Sequence, residues 1–423
     1  MHWIYSPALS SMNGNFTRTE PDMYTEELLQ HVRRHADEFV SIRRDIHRHP
    51  ELSFDERRTS DLVAERLREW GYRVERGLGG TGLVAQLRRG DGARAIGIRA
   101  DMDALPIHEA TGLEHASCHT GVMHACGHDG HTAMLLGAAR TLAERGRFSG
   151  TLNLIFQPAE EYGKSDSGAA RMLDDGLFDK FPCDAIFAMH NAPGVPQGHL
   201  VFRDGPMMAS SDKVIITIHG VGGHGASPHR ATDPVVATAS LVMALQTVVS
   251  RNVDPQETAV VTVGMMQAGT ANNVIPQNAR LELTVRALKP AVRDLLEQRI
   301  VELAHSHAQG FGVKAEVDYQ RGYSALINTA DETEFARRVG VELVGHERVT
   351  PQGPALTGSE DFAFMLEQRP GCYLLVGNGD GSGPSGCMVH NPGFDFNDDN
   401  VVVGAAYWTL LAERFLADGA PAA

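Results

Sequence analysis

The chain is 423 residues long, which at roughly 150 residues per domain predicts two to three domains. Apolar residues make up 42% and charged residues 22%, an ordinary composition for a folded chain with a large core. Thirty-eight Lys and Arg against 53 Asp and Glu leave a formal charge of −15, which repels phosphate backbones and argues against nucleic acid as a partner. The five cysteines are dispersed and odd in number, so they do not read as a secreted disulfide framework.

The first eleven residues are mildly apolar, lack a basic start and are broken by Pro7, so no signal peptide is expected. Residues 1–23 read as a flexible N-terminal extension. No window approaches the ~18 consecutive apolar residues of a membrane span, and a cytoplasmic protein is expected. Residues 25–70 are mainly helical, interrupted by the turn-like HRHPELSFDE. Apolar runs at 95–101, 152–157, 185–190 and 372–377 read as buried strands, with helical stretches at 131–144 and 169–175 between them. Such an alternation predicts an α/β sheet covered on both faces. From 213 to 319 the pattern becomes strand, helix, strand, strand, helix, strand, a ferredoxin-like unit. The expected fold is therefore an α/β sheet domain formed by residues 24–207 and 324–423, with a smaller domain, 208–323, inserted into it.

Chemistry-bearing residues gather at the ends of these segments. Asp101 and Asp103 close the strand 95–101, and alternation points both the same way. The carboxyl ends of strands in open α/β sheets are where ligands bind. Cys126 and His128 lie two positions apart in a Gly-containing loop that opens a helix, a spacing that lets thiolate and imidazole converge on one ion. His124 and His131 are left out, because one short loop cannot aim four groups at one centre. The alternative reading of this loop is a helix start capped by Asp129. Glu160 and Glu161 follow the strand 152–157. Two adjacent carboxylates allow one to bind a cation while the other moves protons. His190 and His390 follow two further strands. The set Cys126, His128, Glu161, His190 and His390 suits two metal ions about 3.5–4 Å apart, or one ion with part of the set engaged.

From about residue 28 to 415 the chain resembles the amidohydrolase branch of the aminoacylase/carboxypeptidase metallopeptidases, which includes hippurate hydrolases and auxin-conjugate hydrolases. The motifs that carry the resemblance are RRDIHRHPELSFDE, RADMDALP, MHACGHDGHTAMLLGAA, QPAEE, GGHGASPH, NVIP, TGSEDFAF and HNPGFDF. The resemblance implies a metal-binding catalytic domain beside an inserted lid that also dimerises. It implies Cys126, His128, Glu161, His190 and His390 as ligands with Cys126 bridging, Glu160 as general base and acid, and Asp103 as the carboxylate orienting a ligand. It further implies His224 as a lid histidine reaching across the dimer to the scissile carbonyl. Asn273, Arg286 and Gly358 then line the pocket for a substrate carboxylate. The chain departs from the family at Tyr162 and Lys164, where small residues are usual, and in reading MHNAP after the strand at 185–190.

The function these readings imply is hydrolysis of the amide of an N-acyl or N-aroyl amino acid by metal-activated water. One or two divalent ions are expected, manganese or zinc first, with cobalt and nickel compatible with the same donors. An aminohydrolase acting on an aromatic amine such as an anthranilate-type acid is the alternative. A non-catalytic binding protein and a nucleophilic Cys126 are more distant ones.

Overall fold

The computed structural model describes residues 23–383 and 386–417. The expectations for the first 22 residues lie outside this range. Eight strands form one mixed sheet, in the order Arg73–Leu78, Gly82–Arg89, Gly150–Gln157, Ala95–Asp101, Ala185–Pro193, Gly371–Gly379, Leu200–Val201 and Val349–Thr350. Four of them, from Gly150–Gln157 to Gly371–Gly379, run parallel at the centre. They contain the four apolar runs read from the sequence. Their near-continuous apolarity has a direct cause, since alternate residues feed two different cores. In the strand Gly371–Gly379, Cys372, Leu374 and Val376 join the larger core, while Tyr373 and Leu375 join the smaller one on the other face.

The hairpin Arg73–Leu78/Gly82–Arg89 at one edge was not apparent from the sequence. Its first strand, RVERGL, is largely solvent-facing and carries three charges, so no apolar run marks it. The helical stretch near the start is three helices, Met23–Arg34, Ala36–Arg48 and Arg57–Glu69. The break before the third falls at Pro50, which disfavours helix at the residue before it.

Helix His128–Arg145 is buried along most of its length and lies against Asp399–Phe415. Glycines set the closeness of this pair. A Cβ added at Gly404 would fall 2.1 Å from Met134 Sδ, and one at Gly137 would fall 2.8 Å from the Ala405 Cβ. The helix thus sits at a fixed depth, and its first residue, His128, is fixed with it.

A second, four-stranded sheet is built entirely from residues 212–321. Its order is Ala259–Ala268, Asn278–Ala287, Asp212–His219, Lys314–Arg321, antiparallel throughout. Helices Pro234–Asn252 and Pro290–Gly310 cover one face, giving the strand-helix-strand-strand-helix-strand order expected. Pro234 opens its helix behind Asp233, whose side chain accepts from the Val235 N–H at 2.8 Å. This helix has the length and apolarity to cross a membrane (mean hydropathy 1.3). Here, however, Ala237, Leu241, Leu245 and Val248 pack on the sheet. Val236 and Met243 face outward, 53% and 71% exposed. The two chain crossings between the sheets are paired. Ser211 N–H donates to the Tyr323 carbonyl at 3.0 Å, and Gly322 N–H to the Ser211 carbonyl at 3.0 Å.

Candidate metal centre

The expected donors arrive from four parts of the chain at the carboxyl-end rim of the large sheet. Gly127, with φ of +96°, turns the loop so that Cys126 and His128 face the same space. A Cβ at Gly127 would stand 2.3 Å from Asn191 Nδ2. Glu160 and Glu161 lie on a single 3₁₀ turn, Glu160–Tyr162, entered through Ala159 at φ +50°. Glu56 holds that unusual backbone by accepting from the Ala159 N–H at 2.8 Å. His390 itself has φ +64°. Among the described residues, three non-glycines take positive φ, Phe54, Ala159 and His390, and two of them shape this rim.

Ligand atoms of Cys126, His128 and His190 lie within 4.8 Å of one another, and so do those of Cys126, Glu161 and His390 and those of His128, Glu160 and Glu161. The first two groups share Cys126, and the last two share Glu161. Cys126 Sγ is 3.2 Å from His190 Nε2, and His390 Nε2 is 3.0 Å from Glu161 Oε1. The set fits a cation on an independent ground, because His128 Nε2 is buried yet makes no hydrogen bond. An orphaned buried nitrogen is costly unless a partner not made of protein satisfies it. Burial, reinforced by Glu161, Glu160 and Asp101, pushes the Cys126 thiol well up. A thiolate here needs a bound cation. Burial disfavours charge on His128, but Asp101 and Asp103 outweigh it and lift the imidazole to about 10, so a cation binding there displaces a proton.

Asp103 is the hub beneath these donors. Its Oδ1 lies 3.2 Å from His128 Nδ1, and its two oxygens accept from the Glu160 and Glu161 N–H groups, each at 3.0 Å. One carboxylate therefore orients an imidazole and fixes the Glu160–Glu161 turn. Burial, then Glu360 and Glu161, push the largely enclosed Glu160 carboxyl well above its ordinary range.

His131 does not join the donors. Its Nδ1 is 2.6 Å from Asp101 Oδ1 and its Nε2 accepts from the Asn191 N–H at 3.1 Å, so both nitrogens are used. His124 is buried with both nitrogens unpartnered, and burial lowers it to about 4. Asp129 makes no side-chain helix cap, contrary to the alternative reading of its loop. It pairs instead with Arg43 Nε and His47 Nδ1, each at 2.9 Å.

Two supports were not found from sequence. Arg99, buried in the apolar strand Ala95–Asp101, meets Asp101 at 2.7 Å, Glu360 at 2.8 Å and Asp361 at 3.2 Å. An arginine inside an apolar strand was a signal that buried carboxylates must face it. Tyr323, at the return crossing from the small sheet, donates to the Glu160 carbonyl and accepts from the Gly163 N–H at 2.7 Å. No motif marks that residue.

The remaining expected residues lie apart from the donors. His224 pairs with Val274 in a two-stranded ribbon, is exposed, and accepts locally from the Ala226 N–H at 3.0 Å. Asn273 is exposed beside it, its carbonyl accepting from the Gly225 N–H at 2.8 Å. Among the described residues, no hydrogen bond or ion pair joins His224 to the donors of its own chain. Arg286 links the small sheet to the loop before helix Phe362–Leu366 by donating to Ser359 Oγ at 3.0 Å, and Gly358 in that loop is exposed. Tyr162 stacks edge-on against Phe54 at 5.0 Å, with Lys164 Nζ 4.8 Å above the Tyr162 ring.

Thiol, imidazole and carboxylate donors at the carboxyl ends of a parallel sheet, with a spare carboxyl group alongside, are how α/β enzymes assemble metal-dependent hydrolytic centres. The chain is an enzyme of that class, a metal-dependent hydrolase of amide-type C–N bonds. It belongs to the peptidase family M20/M25/M40, whose family model matches residues 97–414. It is 42% identical to the hippurate hydrolase of Campylobacter jejuni, over 90% of this chain and 97% of that protein. It is 38% identical to the N-acetyl-L-cysteine deacetylase of Bacillus subtilis, over 90% and 88%. A solved structure from Bacillus subtilis, described as a dinuclear metal-binding peptidase of the M20 family, superposes with a TM-score of 0.78 at 34% identity, covering 91% of this chain and 99% of that one.

Proposed function

We propose that the enzyme hydrolyses the amide bond of N-acyl or N-aroyl amino acids of the hippurate kind. The observation that carries the reading is the pair of donor triads sharing Cys126, Cys126/His128/His190 and Cys126/Glu161/His390. Each triad would hold one divalent cation, and Cys126 is a member of both. When bound, the cations supply Lewis acidity and acidify water. Manganese or zinc suits the donors, with cobalt or nickel as substitutes.

Glu160 takes the proton of the attacking water and delivers it to the amine nitrogen as the C–N bond breaks. Asp103 holds His128 and the Glu160 turn in register. Asp103→Ala is expected to weaken metal binding by about 10- to 100-fold, as measured by competition with a chelator. Unchanged affinity would contradict its orienting role. Arg286, with Asn273 and the backbone at Gly358, receives the substrate carboxylate. A planar guanidinium with a neutral Ser359 as its hydrogen-bond partner suits that task.

The described residues within 24–207 and 324–423 are assigned to the catalytic domain and 208–323 to the lid. We assign a homodimer through the lid. Its supports are the outward Val236 and Met243 on Pro234–Asn252, and Val221 and Val274 near the His224 ribbon, 59% and 51% exposed. His224, unengaged with its own chain's donors, would serve the partner's centre and stabilise the oxyanion there. All five cysteines are free, which suits the reducing cytoplasm.

The test is release of benzoate and glycine from hippurate by the metal-loaded enzyme, alongside an aminobenzoate assayed for ammonia. Hippurate cleavage is expected. Arg286→Ala is expected to raise KM by about 10- to 100-fold, the loss of a hydrogen-bonded charge of about 1.5–3 kcal/mol. Ammonia from the aminobenzoate with no cleavage of any acyl amino acid would overturn the assignment.

A further inference from the structure

A second cluster of ligand-type side chains lies on the other side of the molecule and plays no part in the reaction above. His31 is in the last turn of Met23–Arg34, His35 stands in the junction to Ala36–Arg48, and Glu144 is in the last turn of His128–Arg145. His31 and His35 are four residues apart, the spacing that sets two side chains on one helical face. Their Nε2 atoms converge on one oxygen, Glu144 Oε2, at 3.1 and 3.7 Å. All three ligand atoms lie within 4.8 Å of one another. A tetrahedral zinc ion with bonds of about 2.0–2.1 Å has ligand–ligand edges of about 3.3 Å, the range these contacts span.

We propose that His31, His35 and Glu144 form a structural zinc site separate from the catalytic centre. His31 Nε2 is a buried atom whose 3.1 Å approach to Glu144 Oε2 lacks hydrogen-bond geometry, and the ring is 13% exposed against 26% for His35. Burial lowers the His31 pKa, which favours the neutral ring that can ligate. The surrounding charges are mixed. Arg34 reaches His31 Nδ1 at 3.0 Å, Arg140 holds the other Glu144 oxygen at 2.8 Å, and Arg145 adds positive charge near His31. Glu38 offsets Arg140 by pairing with it. When zinc takes Nε2, the His31 proton moves to Nδ1 and Arg34, which is solvent-exposed, swings away. Water completes the coordination.

Glu144 and His128 are at opposite ends of one helix, about 24 Å apart. The ion would clamp the first two helices onto the element that carries a catalytic ligand. Binding to the folded chain alone raises stability by mass action, so melting should depend on zinc concentration.

The experiment is calorimetric titration of Zn²⁺ into enzyme whose catalytic centre is already saturated, with thermal melting in parallel. The parent is expected to bind one further zinc per chain and to melt higher as zinc rises. A His31→Ala/His35→Ala variant with an unchanged circular dichroism spectrum is expected to bind none of this additional zinc and to show no zinc-dependent shift. Glu144→Gln, which leaves both histidines in place, is expected to weaken the additional site at least about tenfold. The proposal is overturned if the parent takes up no further zinc, if the double variant takes up as much as the parent, or if Glu144→Gln binds it with unchanged affinity.

Discussion

Glu160→Gln is expected to lower kcat on hippurate by about 10²- to 10⁴-fold while leaving the metal content intact. The carboxyl sits within ligand reach of His128 and Glu161 but belongs to neither Cys126/His128/His190 nor Cys126/Glu161/His390. Its neighbour Glu161 is the one aligned with His390 Nε2. The backbone that positions Glu160 is held independently of its side chain, by Asp103 accepting its N–H and Tyr323 donating to its carbonyl. An isosteric amide therefore keeps the geometry and removes the proton carrier. Turnover and metal analysis on the same preparation check this. A variant within tenfold of the parent sinks the proton-transfer role, and a variant that loses its metal shows that Glu160 is a ligand.

The second large effect is on stability. Asp129→Asn should destabilise the metal-saturated chain by about 3–5 kcal/mol, the loss expected when one partner of a buried ion pair is removed. Burial opposes ionisation of Asp129, yet Arg43 and His47 outweigh it and hold the carboxyl far below its usual range. Burial likewise opposes charge on His47, and Asp129 outweighs it, lifting the ring from 6.5 to about 9. A raised histidine pKa contributes stability that is fully present below the unfolded value and is lost as pH rises through the folded one. The parent should accordingly lose stability between pH 6.5 and about 9, and the variant should lose less over that window. Urea unfolding at several pH values measures both. A loss under about 1 kcal/mol at pH 7 would contradict the assignment.

The sequence was most legible where burial on both faces wrote long apolar runs. The four central strands are of this kind, whereas the strands of the 212–321 unit alternate because helices cover only one face of their sheet. The edge strand at 73–78, largely solvent-facing, left no such trace. At the site, Cys126, His128, Glu161, His190 and His390 could be singled out as candidate donors because each type sits at a strand or loop end with its own chemical signature, and the structure gathers them at one rim. What holds them could not be read the same way. Asp129, a helix cap in the alternative reading of its loop, is a counter-ion whose partners Arg43 and His47 lie more than 80 residues earlier. Tyr323 acts through a hydroxyl aimed at a backbone carbonyl, an interaction no local pattern announces. His224 and Asn273 were proposed only through family resemblance, and among the described residues no hydrogen bond or ion pair joins His224 to the donors.

The most direct test of the account is hippurate turnover followed through chelation and stepwise metal return, with metal counted at each step. The account predicts complete loss of glycine release on chelation and recovery that tracks the first one or two equivalents of manganese or zinc per chain. Undiminished turnover by protein freed of metal would contradict it.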